Sequence, residues 1–119
     1  MKLINLTPHP ITIISGEEQV TINPSGVVAR LREDVKEIGT LEVEGHQVPI
    51  VRKILGAVEG LPPVEKIEED TRFLVSSIVL SALRGTEYER CCLAPDTGPS
   101  SAVRDSQGRI VGVRRLIAP

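Results

Sequence analysis

Aromatic side chains are almost missing from this sequence: there is one Phe (Phe73), one Tyr (Tyr88) and no Trp in 119 residues. Single-strand nucleic-acid binders stack bases on aromatic rings, so this scarcity counts against that class. A basic excess is missing as well. Fourteen Lys and Arg stand against 16 Asp and Glu, for a formal charge of −2, whereas a general DNA or RNA binder carries a basic footprint. No apolar run approaches the roughly 18 to 20 residues that a membrane-crossing helix requires. The segment Met1 to Pro8 turns polar too soon for a secretory leader. The expectation is a cytoplasmic protein with no membrane partner and no general affinity for nucleic acid.

Cysteine and histidine are equally scarce. Cys91 and Cys92 are adjacent; neighbours in a strand point to opposite faces, so a bond between them would be strained. There is no CxxC spacing and only two His, which leaves no zinc site. Small buried thiols are expected, with no metal and no cofactor. A nucleophile elbow, a P-loop and a dinucleotide fingerprint are all missing, and no catalytic residue is assigned.

What is present is a chain of one-domain length, residues 1–119, with an apolar fraction of 40% that is almost wholly aliphatic. Residues 2–7 read as a strand, ended by Pro8-His9-Pro10. β-Branched runs at 11–15 and 19–23 flank Gly16-Glu17-Glu18, a hairpin signal. After the turn Asn23 to Gly26, residues 27–32 alternate in polarity. A second hairpin is expected at 38–44 and 47–55 around Glu44-Gly45-His46, with Pro49 placing its return strand at an edge or a bulge. Gly56 to Pro63 reads as a connector, and 64–71 as at most a single helical turn. Arg72 to Val75 reads as a buried strand. Ser76 or Ser77 can cap a short helix over 77–84, with Gly85 in the position that ends one. Strands follow at 89–94, 102–104 and 109–117, the last two joined by the turn Asp105-Ser-Gln-Gly108. The fold class is mainly β with one short α-helix: a small antiparallel barrel or curled sheet of about eight strands, the helix plugging one end.

Several phrases resemble a family of short proteins encoded by phages, prophages and bacteria. They are Asn5-Leu-Thr-Pro-His9, Pro24-Ser-Gly-Val-Val-Ala-Arg30, Gly60-Leu-Pro62, Leu74-Val-Ser76, Pro95-Asp-Thr-Gly98, Val103-Arg-Asp105 and Gly108-Arg-Ile-Val-Gly-Val-Arg114. They occur in the same order across nearly the whole chain. The resemblance implies a phage-linked accessory role, which would include interference with host defence signalling.

Three groups of residues are candidates for chemistry. Arg104, Arg109, Arg114 and Arg115 crowd one hairpin. Strand alternation puts Arg114 with Ile110 and Leu116, facing inward, where a guanidinium needs an anionic partner. Either Asp96 or Asp105 could be that partner, or a phosphate or carboxylate ligand. The loop Pro95-Asp-Thr-Gly-Pro-Ser-Ser101 offers amides and hydroxyls, with Asp96 and Thr97 foremost. Its Asp-Thr-Gly occurs once and lacks the surroundings of an aspartic protease. Asn5 and Thr7 share a strand face, and His9 is held rigidly between two prolines.

The leading expectation is a non-catalytic binding protein for a small anionic molecule, a nucleotide or nucleotide-derived signal. Arg104 and Arg114 would take the anion, Asp96 and Thr97 the hydroxyls, and Asn5, Thr7 and His9 would close the site. A homo-oligomer is expected. Two alternatives stand beside it. One is a small hydrolase or lyase on a phosphorylated metabolite, with His9 and Asp96 as acid and base. The other is a protein–protein inhibitor or virion-associated structural protein that uses its acidic connector and hairpins.

Overall fold

The structure is a computed structural model describing residues 1–119. In chain order its strands are β1 (Lys2–Asn5), β2 (Ile11–Ser15), β3 (Glu18–Ile22), β4 (Arg30–Val43), β5 (His46–Glu59), β6 (Thr71–Leu74), β7 (Cys92–Pro95), β8 (Ala102–Arg104), β9 (Ile110–Val113) and β10 (Leu116–Ile117). The helix α1 (Ser77–Ala82) lies between β6 and β7. Single 3-10 turns occupy Val64–Lys66 and Glu87–Arg90.

β6, α1 and β7 form a crossover unit, and they explain the first sheet. Leu74, Val75 and Ala94 have no exposed surface, and Phe73 and Cys92 almost none. Such continuously apolar short strands suit a sheet covered on both faces. Ser76 caps α1, its hydroxyl oxygen accepting from the Val79 amide at 3.4 Å. The helix buries Val79 and Leu80 and returns the chain so that β7 runs parallel to β6. β1 adds in parallel to the other side of β6, and β10 closes the row antiparallel to β7, giving the order β1-β6-β7-β10. Leu6, Ala29, Phe73, Val75, Val79, Leu80, Leu83, Cys91, Cys92 and Ala94 make up the core.

The second sheet has the order β3-β2-β9-β8. Its two hairpins, β2–β3 and β8–β9, are joined through a single parallel pairing of Ile13 with Val113. Gly16 turns the first hairpin at a φ of 61°. In the second, Asp105 Oδ1 accepts from the amides of Gln107 (2.9 Å) and Arg109 (3.0 Å).

β4 and β5 pair only with each other, as a two-stranded arm of 14 residues per strand. Beyond its first residues nearly every position on it is exposed. The Cα radius of gyration is 17.8 Å, whereas a compact domain of this length would have about 13–14 Å.

Strands predominate beside one short helix, as expected, and the turn positions agree with the sequence. The sheets are mixed and curled rather than closed into a barrel. Pairing is not mostly antiparallel in the first sheet, because the helix between β6 and β7 is a crossover and enforces parallel neighbours. The alternating segment 27–32 is not a strand of its own; β4 starts at Arg30 and runs through to Val43. Gly56 to Glu59 belongs to β5, not to a connector. Residues 109–117 are two strands in different sheets, separated by a bend at Arg114 and Arg115. Pro49 does lie on an edge strand, since both strands of a two-stranded ribbon are edges.

Candidate functional site

The N-terminal candidates are organised by one buried side chain. Asn5 is 1% exposed and spends its whole hydrogen-bonding capacity inside the fold. Its amide nitrogen donates to the carbonyls of His9 (2.8 Å) and Ile22 (2.9 Å). Its oxygen accepts from the Thr7 amide (2.9 Å) and the Thr7 hydroxyl (2.7 Å). Thr7 Oγ1 also lies 3.0 Å from the His9 carbonyl. Asn5 and Thr7 therefore shape the Thr7 to Pro10 turn, and their polar atoms are engaged. His9 is exposed at its end.

The Asp96 loop is held from both sides. The Gly98 amide donates to Asp96 Oδ1 at 2.9 Å, and Arg115 places Nε and Nη2 at 3.0 and 2.7 Å from Oδ2. The Gly98 amide first, and the Arg115 hydrogen bonds next, hold the Asp96 carboxyl below the ordinary carboxylate range. Arg115, not Arg114, is thus the arginine that meets Asp96. Asp105 has its own partner in Arg109, at 3.4 Å.

Arg114 does not face inward. It is exposed, and its guanidinium has neither a hydrogen bond nor an ion pair. The strand alternation that placed it inside stops at Val113, where the chain leaves one sheet for the other. Ser101, which has no exposed surface, pins that bend. Its hydroxyl oxygen accepts from the amides of Arg114 (3.0 Å) and Arg115 (2.9 Å), and its carbonyl accepts from the Arg114 amide at 3.0 Å. Nothing local distinguishes Ser101 from Ser100, so the sequence carried no sign of this role. Arg104 is exposed as well, and donates from Nη1 to the Gly108 carbonyl at 2.6 Å, bracing its own turn.

Two of the candidates converge on one feature. A cleft of about 340 Å³ opens where the two sheets meet, lined by His9, Pro10, Thr12, Pro95, Thr97 and the strand Ile110–Val113. Its volume lies in the range of small-molecule sites. His9 and Thr97 are 88 positions apart in the chain and share its wall. Arg114 is the residue immediately after the lining Val113. Asp96 and Asn5 support this wall from behind, through the Pro95 to Gly98 loop and the His9 carbonyl, while Arg104 lies at the far turn of its hairpin. Gly112 brings β9 close to β2: a Cβ there would meet Ile14 Cδ1 at 2.7 Å and the Thr12 carbonyl at 3.1 Å.

The two thiols are buried and separate. Burial, and then the adjacent Cys91, push the Cys92 thiol up to about 12. No three His, Cys, Asp or Glu side chains come together as a metal site would require. No helix is long and apolar enough to cross a membrane.

No family model, no curated protein and no solved structure matches this chain.

Proposed function

We propose that the protein binds a small anionic molecule, a nucleotide or nucleotide-derived signal, without transforming it, in the cleft between the two sheets. The observation that carries this reading is the convergence of His9 and Thr97 on that cleft, with the unpaired Arg114 guanidinium next to its wall. An exposed arginine free of internal partners can offer its planar fork to a phosphate at no cost in broken bonds. Thr97 adds a hydroxyl and His9 a ring able to donate to an anion, while the Thr12 hydroxyl is already paired with that of Thr21 at 2.9 Å. The lining strand Ile110–Val113 gives a sugar or base an apolar bed. Asp96 enters as a support for the loop, because its carboxylate is already held by Gly98 and Arg115. That engagement favours binding over acid–base chemistry between His9 and Asp96. A phage-linked accessory role as a homo-oligomer that sequesters such a signal completes the proposal.

Native mass spectrometry of freshly purified protein, followed by thermal-shift assays with a nucleoside monophosphate, a nucleoside diphosphate and a cyclic dinucleotide, tests it. A co-purified anion or a ligand-dependent rise in melting temperature is expected. Arg114→Ala should weaken binding roughly ten- to a hundredfold, the worth of one or two charge-assisted hydrogen bonds. No adduct and no shift with any of the three, or a shift unaltered in Arg114→Ala and His9→Ala, would overturn the assignment.

A further inference from the structure

β6 and β7 run parallel, so their starting ends lie side by side. Pro95, on the cleft between the sheets, is at the finishing end of β7. At the starting end a second cavity opens, of about 320 Å³. One wall is the turn that leads into β6, and the other is the end of the 3-10 turn Glu87–Arg90 that leads into β7. Backbone bonds fix both walls. The Thr71 amide donates to the Glu68 carbonyl at 3.1 Å, and the Phe73 amide donates to the Cys91 carbonyl at 2.8 Å.

Arg72, Arg90, Glu68 and Glu69 all border this cavity, and none of the four makes an ion pair. Opposite charges that could neutralise one another are held apart. Arg72 is half-buried and its direction is set: Nη1 donates to the carbonyls of Glu69 (2.8 Å) and Thr71 (2.9 Å), while Nε and Nη2 have no partner in the fold. A half-buried guanidinium with free donors is short of acceptors. Thr71 adds a second, independent sign. It is only 5% exposed, yet its hydroxyl makes no hydrogen bond within the fold. No fully enclosed side-chain oxygen or nitrogen lacks a partner, so this hydroxyl reaches solvent, and the wall of the cavity is where Thr71 does so. A hydroxyl so placed takes its partner from whatever enters.

We infer that this cavity binds a small zwitterion of the α-amino acid class, its carboxylate on Arg72, Arg90 and the Thr71 hydroxyl and its ammonium group toward Glu68 and Glu69. The site is independent of the cleft assigned above. A carboxylate accepts two parallel bonds from a guanidinium, which fits the free Nε and Nη2 of Arg72. A simple anion entering the cavity would also meet two carboxylates, and a simple cation would meet two guanidinium groups. Only a molecule carrying both charges gains from all four. Its volume is at the low end of the small-molecule range, which suits an amino acid better than a nucleotide. Ile67 and the buried Cys91 supply the apolar surface that a side chain would touch.

Backbone amide NMR of the full chain during titration with L-alanine and L-glutamine tests the inference. The amides from Ile67 to Arg72, and those of Arg90 and Cys91, should move and saturate at millimolar concentration. Acetate, methylammonium and inorganic phosphate each carry charge of one sign and should bind at least roughly tenfold more weakly, the loss of one charge-assisted contact. Arg90→Ala, at an exposed position, should weaken L-alanine binding by a similar factor. So should Thr71→Val, which keeps the shape and removes only the hydroxyl. Glu68→Gln with Glu69→Gln should abolish the preference for L-alanine over acetate. Amides that stay still along both walls with either amino acid overturn the inference, as does movement confined to the cleft between the sheets. Acetate or phosphate binding as tightly as L-alanine overturns it too, and so does unaltered binding in both Arg90→Ala and Thr71→Val.

Discussion

Gly60 ends β5 at the point where the arm joins the body, and no other residue fits. Its φ is +96°, and a Cβ built on it would lie 2.4 Å from the Val28 carbonyl oxygen, a backbone atom that cannot move aside. Gly85, after α1, has a similar φ of +78° with nothing within 4 Å. The two separate backbone strain from collision. Gly60→Ala should destabilise the protein by roughly 2–5 kcal/mol, Gly85→Ala by only about 1–2 kcal/mol. Urea denaturation compares them, and equal losses would remove the collision from the explanation. Cys92 sets a limit of another kind. Its thiol titrates near 12 in the fold and near 8.5 once unfolded. The folded value is the higher one, so the full contribution to stability is present below the unfolded value. It falls as pH rises from there toward 12, because the unfolded chain releases the proton first. The urea midpoint should therefore drop between about pH 8 and about pH 10, and Cys92→Ala, though weaker at neutral pH, should show a shallower drop. At this scale the sequence was partly legible. Buried thiols followed from their spacing and the absence of ligands. Asn5 and Thr7 were singled out, but as ligand contacts, because a sequence does not reveal that a polar side chain has already used all its bonds on nearby carbonyls and amides. The same blindness applies to Ser101.

Among the elements, the arm is governed by its tip. Glu44 and Gly45 form a two-residue turn with φ of 48° and 81°. That is the geometry of a type I′ turn, which favours Asn-Gly and places a glutamate at a cost. Glu44→Asn should lengthen the exchange protection of the tip amides roughly two- to tenfold; unchanged or faster exchange would mean that Glu44 is not strained there. The sequence placed this turn correctly and made the arm too short. A hydrophobic pattern shows where strands are, but a ribbon exposed on both faces has no single buried side to keep its alternation regular. The bulges at Ile38 and at Gly56 to Ala57 shift the register and hide its continuity. The helix was legible from Ser76 and Gly85. The strand–helix–strand order around it also announced a parallel pair, a signal outweighed by the number of hairpins.

For the whole molecule, a small body built on two mixed sheets carries an arm longer than its core can cover. The cleft proposed to hold an anion lies where the sheets meet, and no residue of the β4–β5 arm lines it. His9 and Thr97 could be singled out separately, but the cleft they share depends on β2 lying parallel to β9, a contact between segments about 100 residues apart. Arg114 shows the converse: alternation predicted an inward side chain, and the passage from one sheet to the next turned it out.

The sequence by itself determined the mainly β character, the turns, the capped helix and the aliphatic core, because each depends on neighbours a few residues away. Tertiary structure alone decided which strands run parallel, where the last strand breaks, and that the central hairpin stands apart from the body. Those outcomes depend on pairings between distant segments, in which the entropy of closing long loops is set against apolar area that no short stretch of chain can display.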